Sequence, residues 1–370
     1  MGIDNVTLSS SASESNDNSR DTEYVIDTSS SNINLKIGRN IKFLNDYFSV
    51  SGIIGGSNNK VIVESGKYQY LKALPSSNTD GVHTVVVYGS DYDRVNNNDC
   101  SKLKVFFQAL SSDGGNHSSG TITPSSEMII KSGTFGAALL DEDDDDSSYY
   151  TYGVYAGGIS GGSSSAFRTL KVEGGTIFSI NGGPCISSSS KTKNVIGIYV
   201  TGGVIDNIVG GAGTSETYGN RIVSVTGGQV NNSVAGGSNS FSSSGSDPGP
   251  MTGDTLVYVG GKAVLGGKLG YVYTDASDTD LYGVTERGSV FGAGLGRSGD
   301  NYTDLGRVTN SRVIINGGTI NGSVYGGGNY GSVGTETNIG ETKAVIDILS
   351  GNINGSVFGA ANENGAGYGN

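Results

Sequence analysis

Tryptophan is absent from this chain, and proline (5 residues), cysteine (2) and histidine (2) are scarce. Charged residues make up only 16% of its 370 positions. Each shortage excludes something. Cys100 and Cys185 lie 85 residues apart, with no CxxC and no neighbouring histidine, which excludes a zinc site. They read as two free or loop thiols, and a disulfide between them stays open. The 23 basic residues form no cluster, and 35 acidic ones leave a net charge of −12. Nucleic acid and anionic membrane surfaces need clustered Lys and Arg, so neither is expected as a partner. No run of 18 apolar residues exists, so no helix of this segment is expected to enter a membrane. The N-terminus has no charged n-region followed by an apolar h-region, and is not an intact signal peptide. Residues 1–20, Ser- and Asn-rich, are expected to be disordered, and 361–370 to be a flexible end. The chain reads as a segment of something longer.

Glycine is abundant instead, at 63 residues. It does not recur at every third position, which excludes collagen. Gly and Pro together reach about 18%, below the roughly 25–30% that marks low-complexity disorder. Gly, Ser, Asn and Thr are poor helix formers, and no long segment carries a 3.6-residue apolar period. A β-rich chain with many turns remains.

The chain repeats itself. The segments 170-LKVEGGTIFSI, 198-IYVTGGVIDNIVGG, 223-VSVTGGQVNNSVAGG, 313-VIINGGTINGSVYGGG and 346-IDILSGNINGSVFGA share one pattern, with weaker copies at 61, 128 and 257. A strand-like h-x-h-x precedes a two-residue turn, and a second strand begins x-h. Four residues before the turn pair stand Val61, Met128, Leu170, Ile198, Val223, Val257, Val313 and Ile346. Two before it stand Val63, Ile130, Val172, Val200, Val225, Val259, Ile315 and Ile348. Two after it stand Tyr68, Phe135, Ile177, Ile205, Val230, Val264, Ile320 and Ile353. All are apolar, while the positions between them are mixed: period-two alternation with one side buried. A ninth copy fits at Val85, Val87, turn Gly89-Ser90 and Tyr92. The shortest repeat is about 24–25 residues, and anything longer is insertion.

A unit this short cannot bury its own apolar side, whereas stacked units can, each stripe lying about 4.8 Å above the next. Leucine-rich repeats would need Leu and Asn at fixed positions and a helix-capable segment, and neither is present. The expected fold is all-β: a single-stranded right-handed parallel β-helix, a solenoid of about nine rungs over 57–360, interrupted at 139–152, 238–254 and 268–287. Residues 21–56 form a cap or a first irregular rung. Asn321 and Asn354 in the turns are expected to ladder their amides along the stack.

The strings 288-GSVFGAG, 322-GSVYGGG and 355-GSVFGA, with the GG-x-I half of the unit, resemble the Gly-rich β-helix repeats of large bacterial cell-surface proteins of the adhesin type. The resemblance covers roughly residues 50–360. It implies an extracellular, cell-surface location, where the solenoid is a stalk or a binding surface anchored by other parts of the chain. The calcium-binding nonapeptide GGxGxDxUx is missing.

If the rungs are scaffold, specificity belongs to the insertions. Leu139 to Tyr152 holds a run of acidic residues and then Tyr149, Tyr150 and Tyr152. Lys268 to Arg287 holds Tyr271, Tyr273, Tyr282, Asp275, Asp278 and Asp280. Tyrosine among Ser, Gly, Asn and Asp is the composition that binding loops favour. Both insertions are expected to leave the stack at one corner, about four rungs or 20 Å apart. The loop Ser238 to Asp254 reads as flexible. In the acidic run, Asp143, Asp144 and Asp145 are the candidate Ca²⁺ ligands, without the spacing of an EF-hand loop; otherwise no cofactor is expected.

Enzymatic β-helices need acidic or basic groups assembled on one side. Lys171, Glu173, Asp206, Arg221 and Asp347 are read as outward-facing but scattered over different rungs. His83 and His117 sit in no triad motif, and no GxSxG, P-loop or HExxH occurs. The chain is expected not to be an enzyme. The expected function is that of a monomeric adhesin segment binding a host or cell-surface glycoprotein, immunoglobulin or glycan through its Tyr/Asp loops. A passive stalk is the alternative, with a polysaccharide lyase or hydrolase behind it.

Overall fold

The computed structural model describes strand backbones along the chain. Side chains and connections are described for 167–177, 179–183, 195–211, 219–238, 253–267, 287–295, 306–334 and 340–362. Before these they are described for Ile62, 127–132, Val154 and Ala156. Among the described residues the protein is all-β, without a helix, and its strand pairings are parallel.

The strands form three ladders, and each repeat supplies one strand to each in the same chain order. The first ladder runs through Lys60–Val63, Val82–Val87, Ser125–Ile130, Phe167–Val172, Val195–Val200 and Arg221–Val225. It continues through the front halves of Thr255–Leu265, Ser311–Ile320 and Ala344–Ile353. Asn34–Ile37 extends it at the start, with Leu35 and Ile37 opposite Val61 and Val63. The second ladder begins each repeat's post-turn segment, as at Thr176–Ile177, Val204–Ile205 and Gln229–Val230. The third follows it, through Ile208–Val209, Val234–Ala235, Ser289–Phe291, Val324–Tyr325 and Val357–Phe358.

The apolar stripes fall in register. Val61, Val85, Met128, Leu170, Ile198, Val223, Val257, Val313 and Ile346 are consecutive partners in the first ladder, and so are the residues two positions on. The described members from Met128 to Ile315 are fully buried in one continuous core. Burying a Val, Leu or Ile side chain contributes roughly 1.5–3 kcal/mol, so the strand that completes a repeat is held mainly by its neighbours above and below.

Two stripe assignments differ from the sequence reading. Opposite Val230 and Ile320 stands Leu265, fully buried, while Val264 is only partly buried. One extra residue between Gly261 and Val264 shifts the register, and this bulge turns Val264 away from the core. In the ninth copy, Phe107 stands between Tyr68 and Phe135 in the second ladder, the place read for Tyr92. Phe107 belongs to Val105–Asn116, the strand that follows Val82–Val87.

The turn pairs need glycine at their second position. Gly203 and Gly228 have φ of 91° and 76°, the left-handed region that side chains avoid. A second glycine column closes each repeat. A Cβ on Gly210 would lie 2.3 Å from the Gly236 carbonyl oxygen, and one on Gly236 would lie 2.4 Å from that of Gly292.

The repeated valine–aromatic pair splits between two cores. Val290 and Val324 enter the main core, while Phe291 and Tyr325 join Val209, Ala235 and Leu295 in a second cluster on the opposite side of the third ladder. The last repeat lies at the edge, where Leu349 is 67% and Phe358 45% exposed.

Candidate functional site

The place where the chain passes from the second ladder to the third concentrates its polar side chains. In the repeats ending at 325 and 358 this passage is Asn321-Gly322 and Asn354-Gly355. The Asn354 amide donates to the Asn321 carboxamide oxygen at 2.8 Å, and Asn321 donates to the Gly266 carbonyl at 3.1 Å. The expected asparagine ladder is therefore formed.

Both long insertions leave from this passage. The first lies between Thr134–Phe135 of the second ladder and Val154–Ser160 of the third. The other lies between Leu265 and Ser289. From Phe135 the second ladder steps through Ile177, Ile205 and Val230 to Leu265, four steps or about 19 Å. The second insertion closes at its base. A Cβ on Gly288 would fall 2.7 Å from the Gly266 Cα, so the chain departs and returns through one narrow neck. The ladders pass beneath it unbroken, Val234 pairing with Val290 and Val230 with Leu265.

Halfway between the two insertions, two steps from each, sits Asp206, next to Ile205 in the sequence. Its place in the sequence predicts an outward-facing side chain, yet Asp206 is only 9% exposed. A register shift sets Asn231 and Asn232 against it in the following repeat. The Asn232 amide donates to its carboxylate at 3.1 Å. Burial pushes the Asp206 carboxyl above the usual carboxylate range, and the neighbouring Asn231 amide, the Arg287 charge and the Asn232 hydrogen bond oppose that shift.

Behind Asp206 runs a buried column of small polar residues, Ser179, Asn207, Ser233 and Ser289, paired strand to strand. Ser233 donates its hydroxyl to the Asn207 carboxamide oxygen. The Ser323 amide N–H donates to Ser289 Oγ at 3.1 Å, and that of Ser356 to Ser323 Oγ at 3.0 Å. The amide nitrogens of Asn207 and Asn231 are buried with no hydrogen-bond partner among the described residues.

The other residues read as outward-facing divide. Lys171 pairs with Glu127, Glu173 with Lys131, and Asp347 with Arg312, all on the outer side of the first ladder. Arg221 corrects the reading. It is 1% exposed and alternates with Val223 and Val225 on the core side of its strand. Its guanidinium has no hydrogen-bond partner among the described residues, and burial lowers its pKa to about 9. Parity held the signal: Arg221 stands two residues before Val223 and shares its side.

Tyr149, Tyr150, Tyr152, Tyr271, Tyr273, Tyr282, Asp275, Asp278 and the candidate metal ligands Asp143, Asp144 and Asp145 lie outside the described residues, as do the side chains of His83, His117, Cys100 and Cys185. Among the described residues no group of three His, Cys, Asp or Glu could hold a metal ion. No family model matches the chain, and neither a curated protein nor a solved structure does.

Proposed function

We propose that this chain is a non-catalytic binding segment of a bacterial cell-surface protein. In this reading it winds as a right-handed parallel β-helix that carries its Tyr/Asp insertions as the recognition elements. The winding is supported by the order in which each repeat visits the three ladders before the next repeat begins beside it. The partner is a host or cell-surface glycoprotein, immunoglobulin or glycan met outside the cell.

One observation carries the binding reading: two tyrosine-rich excursions leave from the same passage, about 19 Å apart, across an unbroken ladder. A scaffold that holds two loops on one side at a fixed spacing suits a partner that bridges them, because the ladder has already fixed their relative position. The acidic run beginning at Asp141 would strengthen such a contact by binding Ca²⁺ or a basic patch.

The test is a pull-down from serum and mucosal extracts with the full chain and a variant lacking 139–152 and 268–287. The full chain is expected to capture a partner, and the variant to lose it while keeping its β-sheet circular dichroism. Equal capture by both removes the loops from the site.

A further inference from the structure

A column of core-side residues opens the strands of the first ladder. It runs Arg168, Ile196, Arg221, Thr255, Ser311 and Ala344, paired strand to strand. Its polar members turn their donors onto backbone carbonyls. Thr255 donates its hydroxyl to the Gly292 carbonyl at 2.6 Å, and Ser311 donates to the Gly326 carbonyl at 2.5 Å. In both cases the acceptor is the glycine that closes the residue's own repeat. Arg168 has partners too, its Nη1 donating to the Phe167 carbonyl at 3.3 Å.

Arg221 is the exception. The equivalent acceptor in its repeat is the Gly236 carbonyl, and the guanidinium does not take it. Its Nε, Nη1 and Nη2 are buried with no hydrogen-bond partner among the described residues, and the residue is 1% exposed. Burial lowers its pKa only to about 9, so the guanidinium is charged at pH 7. Among the described residues the buried acid is Asp206, which stands at the passage between the second and third ladders and answers Asn232 and Arg287. Five N–H donors and one positive charge thus stand in the interior with neither acceptor nor counter-charge. A buried charge is costly unless it is paired and hydrogen-bonded.

Three properties of the site select what would answer it. The charge calls for an anion. The closure of the site calls for a small one, enclosed as the strands stack, because a polymer or a bulky organic acid has no way to reach a side chain this deeply covered. The single charge calls for a monovalent one. Phosphate or sulfate would bring four oxygens and a second negative charge, which one guanidinium could not satisfy. A halide carries one charge, is spherical, and leaves no oxygen unmatched.

We propose that Arg221 binds a chloride ion in the interior of the stack, held by its guanidinium N–H groups where the first ladder begins. The site uses none of the insertion residues, and it goes beyond the loop reading and is tested separately from it.

Thermal unfolding of the full chain at pH 7 tests it, at constant ionic strength, as sodium chloride replaces sodium gluconate, whose anion is too large to be enclosed. The wild-type melting temperature should rise saturably, by about 2 °C or more once chloride exceeds its dissociation constant about 100-fold. Arg221→Met should show no such rise; it is the more stable protein in gluconate, and chloride narrows the difference. Arg221→Lys keeps the charge and should keep part of the rise. Sulfate acts by exclusion from the whole surface and should stabilise wild type and Arg221→Met alike. Crystals grown with bromide in place of chloride give a direct readout: an anomalous-scattering peak against the Arg221 guanidinium, absent from Arg221→Met. Equal chloride responses in wild type and Arg221→Met overturn the proposal. So does a guanidinium bonded to backbone carbonyls or to a carboxylate with no bromide beside it. A bromide peak at Arg221 without the chloride-dependent rise marks an adventitious ion only, and overturns it as well.

Discussion

Phe291 and Tyr325 stack face to face, ring centroids 4.9 Å apart and planes inclined by 9°, although 34 residues separate them in the chain. Phe358 continues the pile at 5.0 Å from Tyr325. The stack exists because parallel pairing in register sets equivalent residues of successive repeats about one strand spacing apart. Offset rings at this distance attract one another beyond the area they bury.

Tyr325 has rings on both sides and is 3% exposed, whereas Phe358 is 45% exposed at the edge. Tyr325→Ala should therefore cost about 3–4 kcal/mol in guanidinium unfolding, and Phe358→Ala about 1 kcal/mol. Equal losses would mean that the stack is not part of the cooperative unit.

Arg221 carries an opposite expectation. A buried cation without a partner among the described residues is a liability, so Arg221→Met should raise stability at pH 7 by about 1–4 kcal/mol. Because burial lowers the folded-state pKa to about 9, the unfolded chain holds more protons above that pH. Wild-type stability gains there as pH rises, so the advantage of the variant should shrink above pH 9. Thermal unfolding of both proteins between pH 7 and 10 measures it, and a variant less stable at pH 7 would refute it.

Asp206 titrates with the other sign. Its folded-state pKa is raised by burial, so the folded protein holds the extra proton just above the usual carboxylate range, and stability is lost as pH rises through that window. Asp206→Asn keeps an acceptor for the Asn232 amide and removes the charge. It should be more stable than the wild type at pH 7, with the difference narrowing toward pH 4 in matched melting curves.

The three apolar stripes, the repeat length and the asparagine ladder were all readable from residue order. Alternation at period two decides which side of a strand is buried, and a stacked repeat lays equal positions over one another. The same rule, applied two residues upstream, would have turned Arg221 inward. Asp206 was beyond it, because a register shift at the passage between ladders, not strand parity, buries its carboxyl. So was the exchange of Val264 for Leu265, where a single inserted residue reverses the side, and that of Tyr92 for Phe107, which belongs to a strand that begins only at Val105. The lie of the Tyr199 ring against Gly197 and of the Tyr258 ring against Gly260 also needed coordinates: one glycine precedes its ring by two residues and the other follows its ring by two, so no fixed spacing announces them. Local pattern alone determined which residues form strands and which sides they bury. Tertiary structure decided where bulges shift the count, which polar groups are trapped at the passages, and how the outer rings lie, because each depends on neighbours distant in the chain.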